Sequence, residues 1–286
     1  MNKDKAIEYG FLLSALVSVI GVLLILAYVG YEGSALFARV PITDFLFSFD
    51  WEPTKGHFGA LALIVGSILV TFCAVLIGTP LALAAAIFLS ELATPRMQRL
   101  FRPAIELLAG IPSVVYGFFG IVTIVPLVRT TIGGAGFGLV SGSLVLAVMI
   151  VPVIAMLSED ALTAVPDRYR YGSLALGATK WETIVHVLLP TARQGIVSAI
   201  ILGVGRAIGE TMAVLMVLGN APIVPQSLKD PLATMTSVIA MDISYAEGDH
   251  RAALFALGLL LLLISMSLVG FVRAVSARRA ARGGRS

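Results

Sequence analysis

The sequence predicts an all-α membrane protein with about six transmembrane helices. Of its 286 residues, 58% are hydrophobic and only 13% are charged, and the mean hydropathy is +0.97. Uncharged stretches of ~20 residues, the length that a helix needs to cross a bilayer, recur along the chain. Transmembrane β-barrels show short alternating segments instead, whereas the leucine run at 259–263 is continuous. A water-soluble fold would have too little polar surface to cover these stretches.

Six stretches are candidates for the spans. The first, 9–31, has full span length, and we interpret it as a retained helix rather than a cleaved signal peptide. The second, 58–90, is longer than one span needs and is interrupted by Gly78-Thr79-Pro80, so we expect a tilted or broken helix over roughly 60–77. The remaining four are 107–127, 138–158, about 196–218, and 252–272.

Positive charges in the connecting segments predict the orientation. With the N-terminus inside, the cytoplasmic segments hold 14 Lys and Arg residues and the outer loops hold five. An even number of spans then places both termini in the cytoplasm of a bacterial cell, with the chain in the inner membrane. The basic tail, 276–286, is expected to contact anionic membrane lipid rather than nucleic acid.

The predicted organisation has three parts. Residues 1–57 form an N-terminal transmembrane helix and a periplasmic loop, residues 58–275 form the transmembrane core, and residues 276–286 form the tail. Within the core, the cytoplasmic loop 159–195 is long for a simple connection.

This loop predicts two short helices separated by a glycine. The first runs over 167–176 and ends at Gly177, since glycine commonly terminates helices. The second starts at Thr179, which has Glu182 three residues on in a capping-box arrangement, and is expected to stop at Pro190. Leu174 and its neighbours give the loop an apolar face outside the bilayer, and such a face normally meets another protein.

The same loop contains a spaced set of residues: Tyr171, Gly172, Ser173, Gly177, Val187, Leu189 and Pro190. This spacing resembles the EAA loop of binding-protein-dependent ABC importer permeases, which reads Glu-Ala-Ala, three residues, Gly, nine residues, Ile-x-Leu-Pro. The match departs at Tyr171, where the family has Glu, so a salt bridge from this position to an ATPase is not carried over. The resemblance implies that the ATPase contacts Tyr171, Gly172, Ser173, Gly177, Ala178, Thr179, Lys180, Trp181, Leu189 and Pro190.

Two further segments indicate which type of ABC importer permease the sequence resembles. Residues 108–117, which read Leu-Ala-Gly-Ile-Pro-Ser-Val-Val-Tyr-Gly, are similar to the third-helix motif of phosphate-importer permeases. Residues 205–211, Gly-Arg-Ala-Ile-Gly-Glu-Thr, resemble the PstC type of these permeases. Membership of this family implies a MetI-like core, a second homologous permease of the PstA type, two copies of a PstB-type ATPase and a periplasmic PstS-type phosphate-binding protein.

The chemistry of residues 205–210 suits an anion pathway. We expect Arg206 to lie near the middle of its transmembrane helix, where a charge costs ~2.5–3.5 kcal/mol and usually faces a polar interior. Glu210, four residues on, would share its helix face and could pair with it. Either Arg206 attracts a passing anion or the two side chains form a closed ion pair that locks helices together. Ser113 and Tyr116 could donate further hydrogen bonds to the anion, although core packing is an equal alternative.

Several features that an enzyme would need are missing from the sequence. It has no Gly-x-x-x-x-Gly-Lys-Ser/Thr loop, so ATP and Mg²⁺ are expected on a separate ATPase chain and no cofactor on this one. The histidines, His57, His186 and His250, have no metal-site spacing. Together with these absences, the resemblance implies a non-enzymatic permease for inorganic phosphate. Another oxyanion, such as molybdate or sulfate, is the alternative cargo, and the loop at Gly177 disfavours a secondary anion transporter.

Overall fold

The computed structural model describes the backbone of residues 3–283 and the side chains of residues 7–270. The predicted tail, 276–286, therefore lies outside the described side chains. Within the described residues, six helical segments are long and apolar enough to cross a membrane, as the sequence predicts. They are Ile7–Ala38, Leu61–Leu92, Ser113–Thr131, Leu139–Thr163, Lys180–Ile208 and Gly248–Gly270.

These spans are built from helices that we number in chain order. They are α1 (Lys3–Ser34), α2 (Ile42–Phe47), α3 (Leu61–Ile87), α4 (Pro95–Gly110), α5 (Ser113–Phe119), α6 (Val125–Thr131), α7 (Leu139–Thr163), α8 (Asp167–Ala175), α9 (Lys180–Thr183), α10 (Leu189–Ile208), α11 (Met212–Val217), α12 (Met235–Asp242) and α13 (Gly248–Gly283). A small antiparallel hairpin, β1 (Trp51–Glu52) and β2 (His57–Phe58), pairs Trp51 with Phe58. We call the end of the bundle that carries α8 and α9 the coupling end, and the end that carries the hairpin and α12 the opposite end.

Helix α7 forms the centre of the bundle and packs between α3 and α10. Glycines let the helices approach closely, as is common in membranes. A Cβ at Gly78 of α3 would lie 3.0 Å from Cγ1 of Ile150, and one at Gly203 of α10 would lie 2.5 Å from Cδ1 of Ile154. Both isoleucines are fully buried on α7. The main core therefore lies along α7.

The predicted break at Gly78-Thr79-Pro80 is wrong. Helix α3 runs without interruption from Leu61 to Ile87, with Pro80 inside it. Because neighbouring helices support a membrane-embedded helix, a proline is tolerated there. Gly78 serves as a close-packing position against α7 rather than as a helix terminator.

The third span begins later than predicted. Residues 107–110 belong to α4, which ends at Gly110, and Pro112 is non-helical with φ −57° and ψ 140°. The span proper starts at Ser113. Helix α4 is amphipathic and lies at the coupling end, where an Arg102 guanidinium nitrogen lies 3.0 Å from Oδ1 of Asp160 on α7.

The second helix of the long loop does not stop at Pro190. A wide π-helical turn, Ile184–Leu188, joins α9 to α10, and Pro190 is the second residue of α10. Proline removes one backbone donor and crowds the preceding turn, and the wider turn before it accommodates both effects. The same arrangement recurs at the π-helical turn Gly120–Ile124, which is followed by Val125 and Pro126.

The N-terminal helix α1 packs against the bundle through its C-terminal part. Gly33 meets the backbone of Ala256 on α13, and the rings of Tyr28 and Phe255 pack edge to face at 5.6 Å. Between Ile7 and Ile25, α1 exposes apolar side chains all round, as a helix in contact with lipid would. The following loop is anchored by Phe45 and other buried aromatics, in a second core cluster with α13.

We predict that Gly66→Ala destabilises the fold by ~1–3 kcal/mol. A methyl group at Gly66 of α3 would overlap the carbonyl oxygen of Ala233. Thermal unfolding of the purified chain in mild detergent measures the effect. The control is Gly21→Ala on α1, where nothing lies within 4 Å of the new methyl group. Equal melting temperatures for the two variants would contradict the close packing at Gly66.

Candidate functional site

The helix that carries Arg206 ends two residues after it. Helix α10 ends at Ile208, residues 209–211 are not helical, and the short α11 starts at Met212. Arg206 therefore lies in the last turn of its helix rather than at the middle. The predicted ion pair between Arg206 and Glu210 is absent from the ion pairs of the described residues, because the spacing of four residues places side chains on one face only while the helix continues.

Glu210 has a different role in the structure. Its carboxylate oxygen Oε1 accepts a hydrogen bond from the backbone N–H of Ala213 at 3.1 Å, and its own carbonyl accepts one from Oγ1 of Thr236 at 2.9 Å. Helix N-termini leave backbone N–H groups without partners, and a side-chain oxygen stabilises them. Glu210 thus caps α11 and ties the broken segment to α12.

Arg206 is half-buried and lines a cavity of about 320 Å³ between α10 and α13. Its position in the last helical turn places the positive charge where the helix dipole favours it. Within the described residues the guanidinium donates no hydrogen bond and forms no ion pair. The other residues that line the cavity are Ser198, Ile201, Leu202, Gly205 and Val269.

Among the described residues, the glycine pair next to Arg206 is not packed against another helix. Nothing lies within 4 Å of a Cβ built at Gly205, and at Gly209 the nearest atom is the Gly205 carbonyl oxygen at 3.4 Å. Close packing of another helix at this Gly-x-x-x-Gly sequence remains a prediction.

Of the two hydroxyl residues predicted beside the pathway, Tyr116 is the better defined. Its ring is buried on α5, close enough to Arg206 for an electrostatic interaction. Its hydroxyl donates to the carbonyl oxygen of Leu108 at 2.6 Å, across the break at Pro112. In this structure the hydroxyl proton is therefore used by the backbone, and the role of Tyr116 as a donor to an anion stays a prediction. Ser113 is half-buried one turn earlier, and its role stays a prediction.

The coupling element, which we define as α8, Gly177 and α9, has the predicted form. Gly177 has a φ of +88°, a left-handed conformation that favours glycine. The capping box is formed: the Thr179 N–H donates to Oε2 of Glu182 at 2.7 Å, and the Glu182 N–H donates to Oγ1 of Thr179 at 3.2 Å. The Ser173 and Thr183 hydroxyls are hydrogen-bonded at 3.0 Å and hold the two short helices together.

The apolar face of the coupling element is exposed. Leu176 is 91% exposed and Trp181 is 62% exposed, and Tyr171 and Leu174 lie beside them on the surface. Of the other residues in the predicted contact, Ser173, Ala178 and Leu189 are half-buried, whereas the exposed ones are Gly172, Gly177, Thr179, Lys180 and Pro190. The structure thus presents most of the predicted ATPase contact to its surroundings.

The sequence analysis missed the residue that holds this element in place. Arg170 on α8 forms an ion pair with Glu91, at 2.7 Å from Nη2 to Oε1, and both side chains are largely buried. It also donates to the carbonyl oxygens of Val165 and Leu162, at 2.6 and 2.9 Å. The hydrogen bond that Arg170 donates to Glu91 raises the pKa of Arg170 above its already high ordinary value. No local pattern reveals the pair, because its members are 79 residues apart.

Metal binding has no support in the residues that the structure describes. They contain no group of three or more His, Cys, Asp or Glu side chains that could hold an ion.

Comparisons with known proteins agree with this architecture. A profile of the family described as "Binding-protein-dependent transport system inner membrane component" matches residues 78–281. The probable ABC transporter permease protein YqgH of Bacillus subtilis is 39% identical over 272 residues, which cover 93% of this chain and 88% of that protein. The phosphate transport system permease protein PstC of Pasteurella multocida is 39% identical over 262 residues, with coverage of 85% and 82%. PstC of Mesorhizobium japonicum is 35% identical, with coverage of 92% and 88%.

Solved structures share the fold. A bacterial ABC transporter involved in the import of the acidic polysaccharide alginate superposes with a TM-score of 0.66 at 14% identity, over 96% of this chain and 98% of that chain. The inward-facing MetNI methionine ABC transporter gives 0.58 at 23% identity, over 79% and 99%. The predicted MetI-like permease fold is therefore confirmed.

We predict that Glu210→Ala destabilises the chain by ~1 kcal/mol, through loss of the cap on α11. Glu210→Gln should be nearly neutral, because its amide oxygen can still accept the Ala213 N–H. Arg206→Gln is the matched control and should also leave stability unchanged. Thermal unfolding in detergent compares the three variants. Equal destabilisation by Glu210→Gln and Arg206→Gln would instead indicate a hidden ion pair between these side chains.

Proposed function

Because the chain belongs to the family of binding-protein-dependent transport system inner membrane components, we propose that it is the phosphate-translocating permease of an ATP-driven importer. The main support for phosphate as cargo is the set of relatives named as phosphate transport system permease proteins PstC, which align over most of this chain. The resemblance of residues 205–211 to the same type of permease supports it as well.

The chemistry of Arg206 fits this cargo. A planar guanidinium binds phosphate oxygens through two parallel hydrogen bonds, and the Arg206 donors are not used by the described residues. The helix break beside it is the kind of discontinuity at which membrane transporters bind substrates. Glu210 leaves the positive charge uncancelled, since its carboxylate caps α11 instead.

The proposed assembly contains four kinds of chain. This permease pairs with a second, homologous permease of the PstA type, and two PstB-type ATPase copies bind ATP and Mg²⁺ at the coupling end. A PstS-type binding protein delivers phosphate at the opposite end. The exposed apolar face around Leu176 supports an ATPase contact, because such a surface would otherwise meet water.

The proposed orientation follows from the positive charges. The coupling end, with Arg99, Arg168 and Lys180 among its basic residues, lies in the cytoplasm together with both termini. The hairpin and α12 then lie in the periplasm, at the inner membrane of a bacterium.

The cargo is tested with the assembled transporter in proteoliposomes. Radiolabelled phosphate uptake that requires ATP and the binding protein, and that excess molybdate or sulfate does not reduce, supports the proposal. Uptake of sulfate or molybdate in place of phosphate would assign another oxyanion. Uptake that proceeds without ATP would assign a secondary transporter.

We predict that Arg206→Gln reduces phosphate uptake at least ~100-fold while the complex still assembles. A neutral amide cannot offset the dehydration of a charged phosphate, and an ionised group accounts for several kcal/mol in such a contact. Arg206→Lys should retain an intermediate rate, because it keeps the charge but loses the planar fork. Uptake and complex abundance are measured together. Normal uptake by Arg206→Gln would remove Arg206 from the pathway.

We predict that Leu176→Glu lowers the amount of ATPase that co-purifies by about tenfold, because it places a charge in an apolar interface. Gly177→Asp should also weaken docking, since it strains the left-handed turn between α8 and α9. The matched control is Leu228→Glu, an exposed leucine at the opposite end. Undiminished ATPase with Leu176→Glu would exclude this face as the docking surface.

A further inference from the structure

We propose that α3 transmits the movement of the coupling element to the broken segment beside Arg206. Arg170 and Ser67 are the positioning residues at its two ends. This inference rests on the proposed function, because it assumes that an ATPase moves the coupling element. It adds a route from the ATPase contact to the substrate site other than the direct one through α10.

At the coupling end, α3 is joined to α8 by a buried ion pair. Glu91 lies in the π-helical turn, Phe88–Leu92, that extends α3. Its carboxylate receives Nη2 of Arg170 at 2.7 Å, with the two side chains 7% and 18% exposed. Arg170 simultaneously holds the carbonyl oxygens of Val165 and Leu162, at the end of α7. A guanidinium bound on three sides keeps α8 fixed to α3 when α8 moves.

At the opposite end, α3 is joined to the loop before α12. The hydroxyl of Ser67 accepts the backbone N–H of Met235 at 3.0 Å and donates to the carbonyl oxygen of Leu63 at 2.8 Å. Ser67 and Met235 are both buried. Gly66 next to it lets the backbone at Ala233 lie directly on the helix. The loop therefore follows any displacement of α3.

One residue further along, the first turn of α12 reaches the broken segment. Oγ1 of Thr236 donates to the carbonyl oxygen of Glu210 at 2.9 Å, and Glu210 caps α11 through the Ala213 N–H. Residues 209 and 210 are joined to α10 by long backbone hydrogen bonds, since the N–H groups of Gly209 and Glu210 lie 3.4 and 3.3 Å from the carbonyl oxygens of Gly205 and Ala207. A pull on Glu210 therefore changes the position of Arg206 relative to α11. A continuous set of contacts thus connects α8 to residues 209–211.

The helix between the two junctions is suited to pass on a displacement. From Ser67 to Glu91 it spans ~36 Å at 1.5 Å per residue. It is continuous through Pro80, and its buried side packs against α7 along its length. A continuous helix carries a shift from one end to the other, whereas a helix broken at 78–80 would absorb it.

The test measures phosphate uptake and ATP hydrolysis together in the assembled transporter in proteoliposomes. The single variants are Arg170→Lys, Glu91→Gln and Ser67→Ala, and the double variant combines Glu91→Gln with Ser67→Ala. Arg99→Gln, an exposed arginine on α4, is the matched control. We expect each single variant to lower phosphate transported per ATP hydrolysed by about tenfold with ATPase docking retained, which is typical of a coupling between sites.

The double variant separates transmission from local stability. Two breaks in one connection should cost no more than one, so the double variant should match the single variants. Additive losses would assign Glu91 and Ser67 to independent effects and overturn the proposal. Unchanged coupling in the single variants, or loss of assembly in all of them, would overturn it too.

A second readout does not depend on the cargo. A spin label at Met212→Cys, in a Cys73→Ser background, reports the mobility of the broken segment, because Met212 is exposed at the start of α11. ATP should change this mobility in the unmodified complex and not in Glu91→Gln. An ATP response without phosphate uptake would contradict the cargo while supporting transmission. An equal response in Glu91→Gln would contradict transmission even where phosphate is transported.

Discussion

Backbone amides and carbonyls at helix breaks need partners inside the protein, because the core of a bilayer offers no water. At the break before α5, the hydroxyl of Tyr116 satisfies the carbonyl of Leu108. At the start of α11 the carboxylate of Glu210 satisfies an amide, and at its end the side-chain amide of Asn220 donates to the Leu215 carbonyl at 2.6 Å. The polar side chains at these helix breaks are therefore hydrogen-bonded to backbone groups.

That constraint separates the two charges of the Arg-Ala-Ile-Gly-Glu-Thr segment. If the helix continued, Arg206 and Glu210 would neutralise each other, and a closed pair would hold little attraction for an anion. The break at 209–211 assigns the carboxylate to α11 and leaves the guanidinium at a helix C-terminus beside a cavity. A positive charge that is stabilised by the helix dipole but not paired can attract an anion and still release it.

At the coupling end a charged side chain also binds backbone groups, but it is at the same time part of an ion pair. Here a buried charge is fully paired, since Arg170 binds Glu91 and two backbone carbonyls. Removing one partner of such a pair is costly, whereas an exposed pair contributes little. The pairing fixes α8 firmly while its outer surface, around Leu176, stays available to a partner.

Local signals in the sequence were enough to predict much of this. Apolar length gives the six spans, and Thr179 with Glu182 gives the start of α9 at the correct residue. Proline was the misleading residue: Pro80 and Pro190 lie inside helices because tertiary packing and a π-helical turn accommodate them. The Arg170–Glu91 pair depends on where two distant segments meet, and the cap on α11 depends on where α10 ends. No local sequence pattern predicts either of them.

The central claim is that Arg206 contacts the transported anion instead of an internal carboxylate. Crystals of the assembled transporter soaked with arsenate, a phosphate analogue with a strong anomalous signal, test this most directly. We expect arsenate oxygens at ~2.9 Å from the Nη atoms of Arg206, in the geometry of a charge-assisted pair. An arsenate bound elsewhere in the pathway, with Arg206 closed on a carboxylate of Glu210 or of the second permease, would contradict it.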